Sequence, residues 1–131
     1  MAVQLDSPAV AVAREHAEAF SNHNWDRARQ SLAEDVHVTA TTTIPGIKDT
    51  DLTGIEDYMQ GLIEFAQPIV PGSTRILATV GDERNSLILL TVQGAFGPDG
   101  AMVTLPGARL ALLDEDGRIK EERVVFFTMP D

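Results

Sequence analysis

The order of hydrophobic patterns along these 131 residues predicts an α+β fold, with three helices early and an antiparallel sheet late. Three observations carry this reading. A long apolar stripe of helical period opens the chain. A Thr-rich, β-branched stretch then separates the first helical segments from another at 53–67. After Pro71 the chain reads as four consecutive strands with no helix between them, which is not the alternation that a parallel βαβ sheet needs. Such a sheet must curve over the long helix or leave a large apolar face in water. A curved sheet folded over one helix makes a pocket.

Ser7-Pro8 reads as a helix start, because serine caps and proline fits the first helical position. Ala9, Val10, Ala13, Ala17 and Phe20 then recur at helical spacing until Ser21-Asn22-His23-Asn24 breaks the pattern. Asn24 caps a second helix with Trp25, Ala28 and Leu32 on its buried side. Asp35 is expected to end it, and Val36–Thr43 to form a strand. Ile44–Leu52, with Pro45, Gly46 and three charges, reads as a loop. Thr53 is the expected cap of the third helix, and Glu56 completes a capping box. The inner face of that helix runs through Ile55, Met59, Leu62 and Ala66, or through the neighbouring stripe of Tyr58 and Phe65.

The four strands are expected at Thr74–Val80, Ser86–Phe96, Ala101–Leu113 and Arg118–Thr128, with Asp99-Gly100 and Asp116-Gly117 as turn dipeptides. Pro106-Gly107 inside the third of them predicts a bulge or an edge segment, since proline cannot donate to a ladder. Leu87–Leu90 and Val124–Phe127 are apolar at every position, where a half-exposed strand would alternate. Both sheet faces are therefore expected to be covered in places. The simplest cover for the face away from the helices is a second copy of the chain.

Composition narrows the function. The chain is of single-domain length, 1–131, with 44% hydrophobic and 23% charged residues. Its formal net charge of −10 and its lack of any basic run argue against nucleic-acid partners and anionic membranes. There is no cysteine, so disulfides, thiolate nucleophiles and Cys-based zinc sites are excluded. His16, His23 and His37 have no metal-ligand spacing, and no Walker, dinucleotide or Gly-x-Ser-x-Gly fingerprint is present, so neither a metal nor a cofactor is expected. Without a signal-peptide pattern or an apolar run of spanning length, the expected location is cytoplasmic.

Phe20-Ser21-Asn22-His23-Asn24-Trp25-Asp26, Leu32-Ala33-Glu34-Asp35-Val36, Leu52-Thr53-Gly54 and Asp116-Gly117-Arg118-Ile119 together resemble the nuclear-transport-factor-like superfamily in its SnoaL-like branch. The similarity covers almost the whole chain, through short motifs that are structural. The resemblance implies a conical, strongly curved sheet around a pocket, usually in a homodimer. It also implies kinship with a ketosteroid isomerase, a limonene epoxide hydrolase, scytalone dehydratase and polyketide cyclases, besides relatives that only bind or assemble. Carried over by position, the isomerase's general-base aspartate falls at Ala40, its oxyanion tyrosine at His16 and its protonated aspartate at Arg109. The epoxide hydrolase's aspartate two positions beyond an arginine falls at Ala111. The cyclases' acid near the end of the last strand falls within Val124–Phe127, where there is none.

The residues themselves offer a different set. Arg109 stands in Leu105–Leu113, where almost everything else is apolar or small. If Leu113 pairs with Arg118, Arg109 faces Glu122 inside the cone. Arg109 would bind a carboxylate or enolate oxygen, and Glu122 would hold it and act as a base. A cross-strand salt bridge at the cone's mouth is the structural alternative. His16, on the apolar stripe of the first helix, is the third candidate catalytic group, with a satisfied core histidine as its alternative. Tyr58, Ala40, Met59, Leu62 and Phe126 are the expected substrate-binding residues. His37 is expected on the outer sheet face or at a dimer contact, and His23 in solvent at the helix break. Asp49 and Asp51 lie in a loop that could lid the pocket. These residues point to a small-molecule enzyme that isomerises, cyclises, hydrates or dehydrates an apolar ring or polyketide-like substrate. The alternative is a non-catalytic ligand-binding or dimerisation domain.

Overall fold

A computed structural model describes residues 6–127. Helices α1 (Pro8–Ser21) and α2 (Trp25–Gln30) come first, then strands β1 (Leu32–Thr42) and β2 (Thr50–Thr53) and helix α3 (Ile55–Ala66). Strands β3 (Arg75–Gly81), β4 (Asn85–Gly94), β5 (Val103–Leu113) and β6 (Ile119–Phe126) complete the chain, with a 3₁₀ turn at Pro98–Gly100. The six strands form one curved, unclosed sheet in the order β2-β1-β6-β5-β4-β3. Helix α1 packs on β3, β4 and β5, α3 packs on β1 and β2, and α2 bridges the two helices. The fold is thus α+β, a curved sheet coned around the N-terminal helix. The sheet is mixed rather than purely antiparallel, because β6 returns alongside β1 in parallel.

Local chemistry explains the starts of α1 and α2. Ser7 Oγ accepts from the Val10 amide at 3.3 Å with Pro8 in the first turn, and Asn24 Oδ1 accepts from the Arg27 amide at 3.3 Å. His23, which joins the two helices, takes a positive φ of 55°; it is half-buried and stacks on Trp25 at 5.1 Å rather than standing free in solvent.

Four expectations need correction. Helix α2 stops at Gln30, not Asp35, and β1 begins at Leu32. The reason is tertiary: the Ile119 amide donates to Ser31 O at 2.8 Å, which draws the chain into the sheet, and the extra residues up to His37 are absorbed as a register irregularity against β6. Thr53 is not a helix cap. It pairs with His37 as the last residue of β2, a strand inside the expected loop, and Gly54 takes the cap position with φ +96° and no side-chain bond.

Pro106-Gly107 makes neither a bulge nor an edge, since β5 lies between β6 and β4 in unbroken register with β4. Pro106 O accepts from Phe127 N, so the face that lacks a donor points at β6 just where that strand ends. The β5–β6 register is also offset from the expected one. Leu113 pairs with Ile119 across a wider turn, and a further irregularity between Leu112 and Leu113 passes over Lys120, so Arg109 lies opposite Val124 and Ala111 opposite Glu122.

The core lies between the helices and the concave face, where Phe20, Leu32, Val36, Ile88, Val92, Leu105 and Ile119 are buried. The apolar runs split as a pleat requires. Ile88, Leu90, Val124 and Phe126 point inward, whereas Leu89, Val125 and Phe127 remain exposed. Strand β6 ends at Phe126, and Thr128 lies outside the described residues. Among the described residues no helix is long and apolar enough to cross a membrane.

Candidate active site

The pairings that build the sheet also place two charged groups on its otherwise apolar concave floor. Across β1, β6 and β5, Val38 neighbours Glu122, Ala40 neighbours Val124, and Val124 neighbours Arg109. Arg109 and Glu122 sit diagonally on adjacent strands, on one face, and Arg109 Nη2 donates to Glu122 Oε1 at 2.8 Å. The offset register therefore keeps the ion pair while changing how it is made, because a long arginine spans the diagonal. Both residues are buried, at 6% and 3% exposure, so the pair belongs to the interior and not to the solvated mouth.

Tyr58 is the hub of the group. Buried on the inner side of α3, its hydroxyl donates to Glu122 Oε1, receives Arg109 Nη2 at 3.2 Å, and lies 2.9 Å from His16 Nε2. His16, on α1, is fixed from its other side by a 3.0 Å contact from Nδ1 to the carbonyl of Ala28. A carbonyl only accepts, so Nδ1 carries a proton. Burial, reinforced by the nearby Arg109 charge, lowers His16 to about 4 against the opposing pull of Glu122 and the Ala28 bond. The imidazole is therefore neutral at pH 7, with a lone pair on Nε2.

The electrostatics of the other three follow from the same burial. Burial would raise the Glu122 carboxyl, but the Arg109 charge, then the proximity of His16 and the hydrogen bonds from Arg109 and Tyr58, outweigh it and hold the group below the usual carboxylate range. Burial would lower Arg109, yet Glu122 more than compensates, so the guanidinium stays charged. Burial and the adjacent Glu122 charge push the Tyr58 phenol upward, so it stays protonated.

Among the described residues several valences in this group are unspent, since Nη2 is the one guanidinium nitrogen that is engaged. Arg109 Nε is buried without a hydrogen-bond partner among the described residues. Tyr58 and Arg109 both donate to Oε1 of Glu122, and Oε2 is engaged by neither. The Arg109 guanidinium also rests on the Phe20 ring, 5.6 Å from its centroid.

Above this floor opens a cavity of about 430 Å³, within the range of small-molecule sites. Tyr58, Arg109 and Glu122 belong to its wall, with Ala40, Leu62 and Phe126. Met59 is buried in the core instead and is not part of the wall, because Tyr58 and not its neighbour takes the inward direction. His16 is not part of the wall either and reaches the site through Tyr58. Phe65, Phe96 and Phe126 stack into an aromatic side at 5.5 and 5.2 Å. Phe65 lies two helical turns after Tyr58 on the stripe that the sequence offered as one inner face of the third helix, whereas Phe96 was not expected at the site.

The loop before β2 contributes Gly46, Ile47 and Lys48 to the rim. Its acids point elsewhere. Asp49 accepts the Thr42 amide, and Asp51 joins Glu121 around His37, whose pKa is raised by hydrogen bonds first to Glu121 and then to Asp51. His37 is half-buried and takes no part in the site. Among the described residues no group of His, Cys, Asp or Glu could hold a metal ion.

No curated protein matches the sequence. Many solved structures share the fold. A protein from Jannaschia sp. CCS1 named as a candidate SnoaL-like polyketide cyclase is 15% identical, with a TM-score of 0.74 over 95% of this chain and 91% of its own. A candidate isomerase from Rhodopseudomonas palustris is 8% identical, with a TM-score of 0.73 over 94% and 91%. An NTF2-like protein of unknown function from Cytophaga hutchinsonii ATCC 33406 is 16% identical, with a TM-score of 0.65 over 96% and 94%. At such identities the likeness is one of fold. The family profile of the SnoaL-like domain matches residues 13–122, a span that takes in His16, Tyr58, Arg109 and Glu122, and the chain belongs to that family.

Proposed function

We propose that this protein is a small-molecule enzyme that isomerises, cyclises, hydrates or dehydrates an apolar ring or polyketide-like substrate without a cofactor. The observation that carries the reading is a buried ion pair at the floor of an apolar cavity that keeps hydrogen-bonding capacity to spare: among the described residues neither Arg109 Nη1 nor Glu122 Oε2 has a partner. A buried ion pair adds little stability over apolar packing, so its retention with capacity to spare favours a role toward a ligand. In this reading Glu122 Oε2 removes a proton from carbon beside a carbonyl, and the Arg109 guanidinium receives the oxygen on which negative charge develops. Tyr58 holds the carboxylate by its other oxygen. The names of the cyclase and isomerase neighbours agree with such chemistry, though they describe those proteins.

The test is hydrogen exchange. Cyclic and polyketide-like ketones incubated with the protein in D₂O should gain deuterium at the carbon beside the carbonyl faster than in buffer, as read by mass spectrometry. The double variant Arg109→Leu with Glu122→Leu should lose the gain. Ligands that bind without exchanging would instead favour a non-catalytic binding domain, the reading that Ala40, where the isomerase has its aspartate, supports. We further infer that the protein works as a homodimer packed through the outer face of the sheet, on the strength of its exposed Leu89, Leu110 and Val125.

A further inference from the structure

The buried network holds two bridges and one proton to fill them. Tyr58 Oη lies between Glu122 Oε1 and His16 Nε2, and both of these are acceptors. His16 cannot supply the missing hydrogen, because its one ring proton is committed to the carbonyl of Ala28. Arg109 Nη2 donates to Tyr58 Oη and to Glu122 Oε1, so it fills neither bridge. The Tyr58 hydroxyl proton must choose.

We propose that His16 is a positioning residue: it is the alternative acceptor toward which the Tyr58 proton turns when Glu122 takes up a proton on Oε2. The proposal rests on the reading of Glu122 as the base. While Glu122 is ionised, Tyr58 donates to Oε1. When the substrate C–H bond breaks, its electron pair stays on the substrate as an enolate beside Arg109, and its proton becomes Oε2–H. Oε1 is then a weak acceptor, and the Tyr58 O–H rotates about its C–O bond to His16 Nε2 without breaking. Returning the Oε2 proton to carbon reverses the rotation.

The physical consequence concerns basicity. Tyr58 is only 2% exposed, so water cannot take over its hydroxyl if Glu122 stops accepting. Without a second acceptor, protonating Glu122 would leave the buried Tyr58 donor with only the weaker, neutral Oε1, which costs part of a charge-assisted hydrogen bond. His16 removes that cost and so makes Glu122 a better base than its arginine neighbour alone would allow. The charged and titratable groups around Glu122 are Arg109 from β5, Tyr58 from α3 and His16 from α1, with Lys48 and Glu64 elsewhere on the cavity wall.

The experiment needs no substrate. With ¹³C-carboxyl-labelled glutamate, NMR titration gives the Glu122 pKa in the wild type, in His16→Leu and in His16→Gln, the last keeping a side-chain acceptor. In the leucine variant the Glu122 pKa should fall by about one unit, tenfold in proton affinity, and in the glutamine variant it should recover at least in part. A rise in the leucine variant would mean that His16 is an imidazolium cation, and an unchanged value would mean that it only fills space; either overturns the proposal. If His16→Leu does not fold, the wild type decides alone. ¹⁵N shifts should give a protonated Nδ1 and a bare Nε2 at neutral pH, and a proton on Nε2 would refute the idea. A fallen Glu122 pKa together with no deuterium exchange would leave the Tyr58 rotation standing and reject the enzymatic reading.

Discussion

Among the described residues Arg109 and Glu122 both keep hydrogen-bonding capacity free although both are buried, and that is what separates them from an ordinary cross-strand pair. The two readings of the pair diverge on mutation. Arg109→Leu alone keeps apolar volume but strands the Glu122 charge, and should cost about 3–5 kcal/mol in urea unfolding. The double change to leucine leaves no unpaired charge and should return stability close to that of the wild type. A double variant that is stable but neither exchanges nor binds carbonyl ligands supports the catalytic role. One that is fully active would remove both residues from the site. At this scale the sequence was informative where charge stood out against an apolar background, which is how Arg109, Glu122 and His16 could be singled out. It was silent on Tyr58 as a hub. A tyrosine on a helix looks the same whether its hydroxyl meets water or three buried partners, and the contacts that decide it come from α1, β5 and β6.

Elements set the direction of those side chains, and the start of α3 shows how a local signal can lose to a tertiary one. Thr53 with Glu56 has the form of a capping box, yet Thr53 is taken into β2 opposite His37, and the Gly54 amide donates to Val36 O at 2.8 Å. The strand pairing forces Gly54 to φ +96°, a conformation that side chains resist. This reverses the mutational expectation. Thr53→Ala should change stability by no more than about 0.5 kcal/mol, the size of an ordinary surface change, and not by the roughly 1 kcal/mol of a lost cap. Gly54→Ala should cost about 1–2 kcal/mol, although open space surrounds the position. Thermal unfolding of both variants measures the contrast, and a larger loss for Thr53→Ala would restore the capping reading. The β5–β6 register escaped the sequence for a related reason. The Asp116-Gly117 signal located the turn, but its width depends on Asp114, whose carboxylate accepts from the amides of Asp116 and Arg118.

At the scale of the whole molecule the concave face is filled by helices and cavity, while the convex face keeps an apolar stretch in the open. Val80, Leu87 and Leu110 follow one another across β3, β4 and β5, and Leu89, Ala108 and Val125 do so across β4, β5 and β6. Single exposed apolar residues are common, but neighbours aligned across four strands form a patch of the kind that marks an interface. A second copy is the economical cover, since a two-fold pairing presents the same patch from both sides. Of the two adjacent leucine-run residues, Leu89 is 43% exposed and Ile88 is 1% exposed, so the informative change is Leu89→Lys. In a dimer the new charge would be buried without a partner, an unfavourable outcome that dissociation avoids. Within one chain it would simply stand in water. Sedimentation velocity at micromolar concentration should therefore give a dimer for the wild type and a folded monomer, with unchanged circular dichroism, for the variant. Ile88→Lys should instead unfold the chain, because it places the charge in the core. A wild type that sediments as a monodisperse monomer would reject the pairing and leave the convex patch to a different occupant.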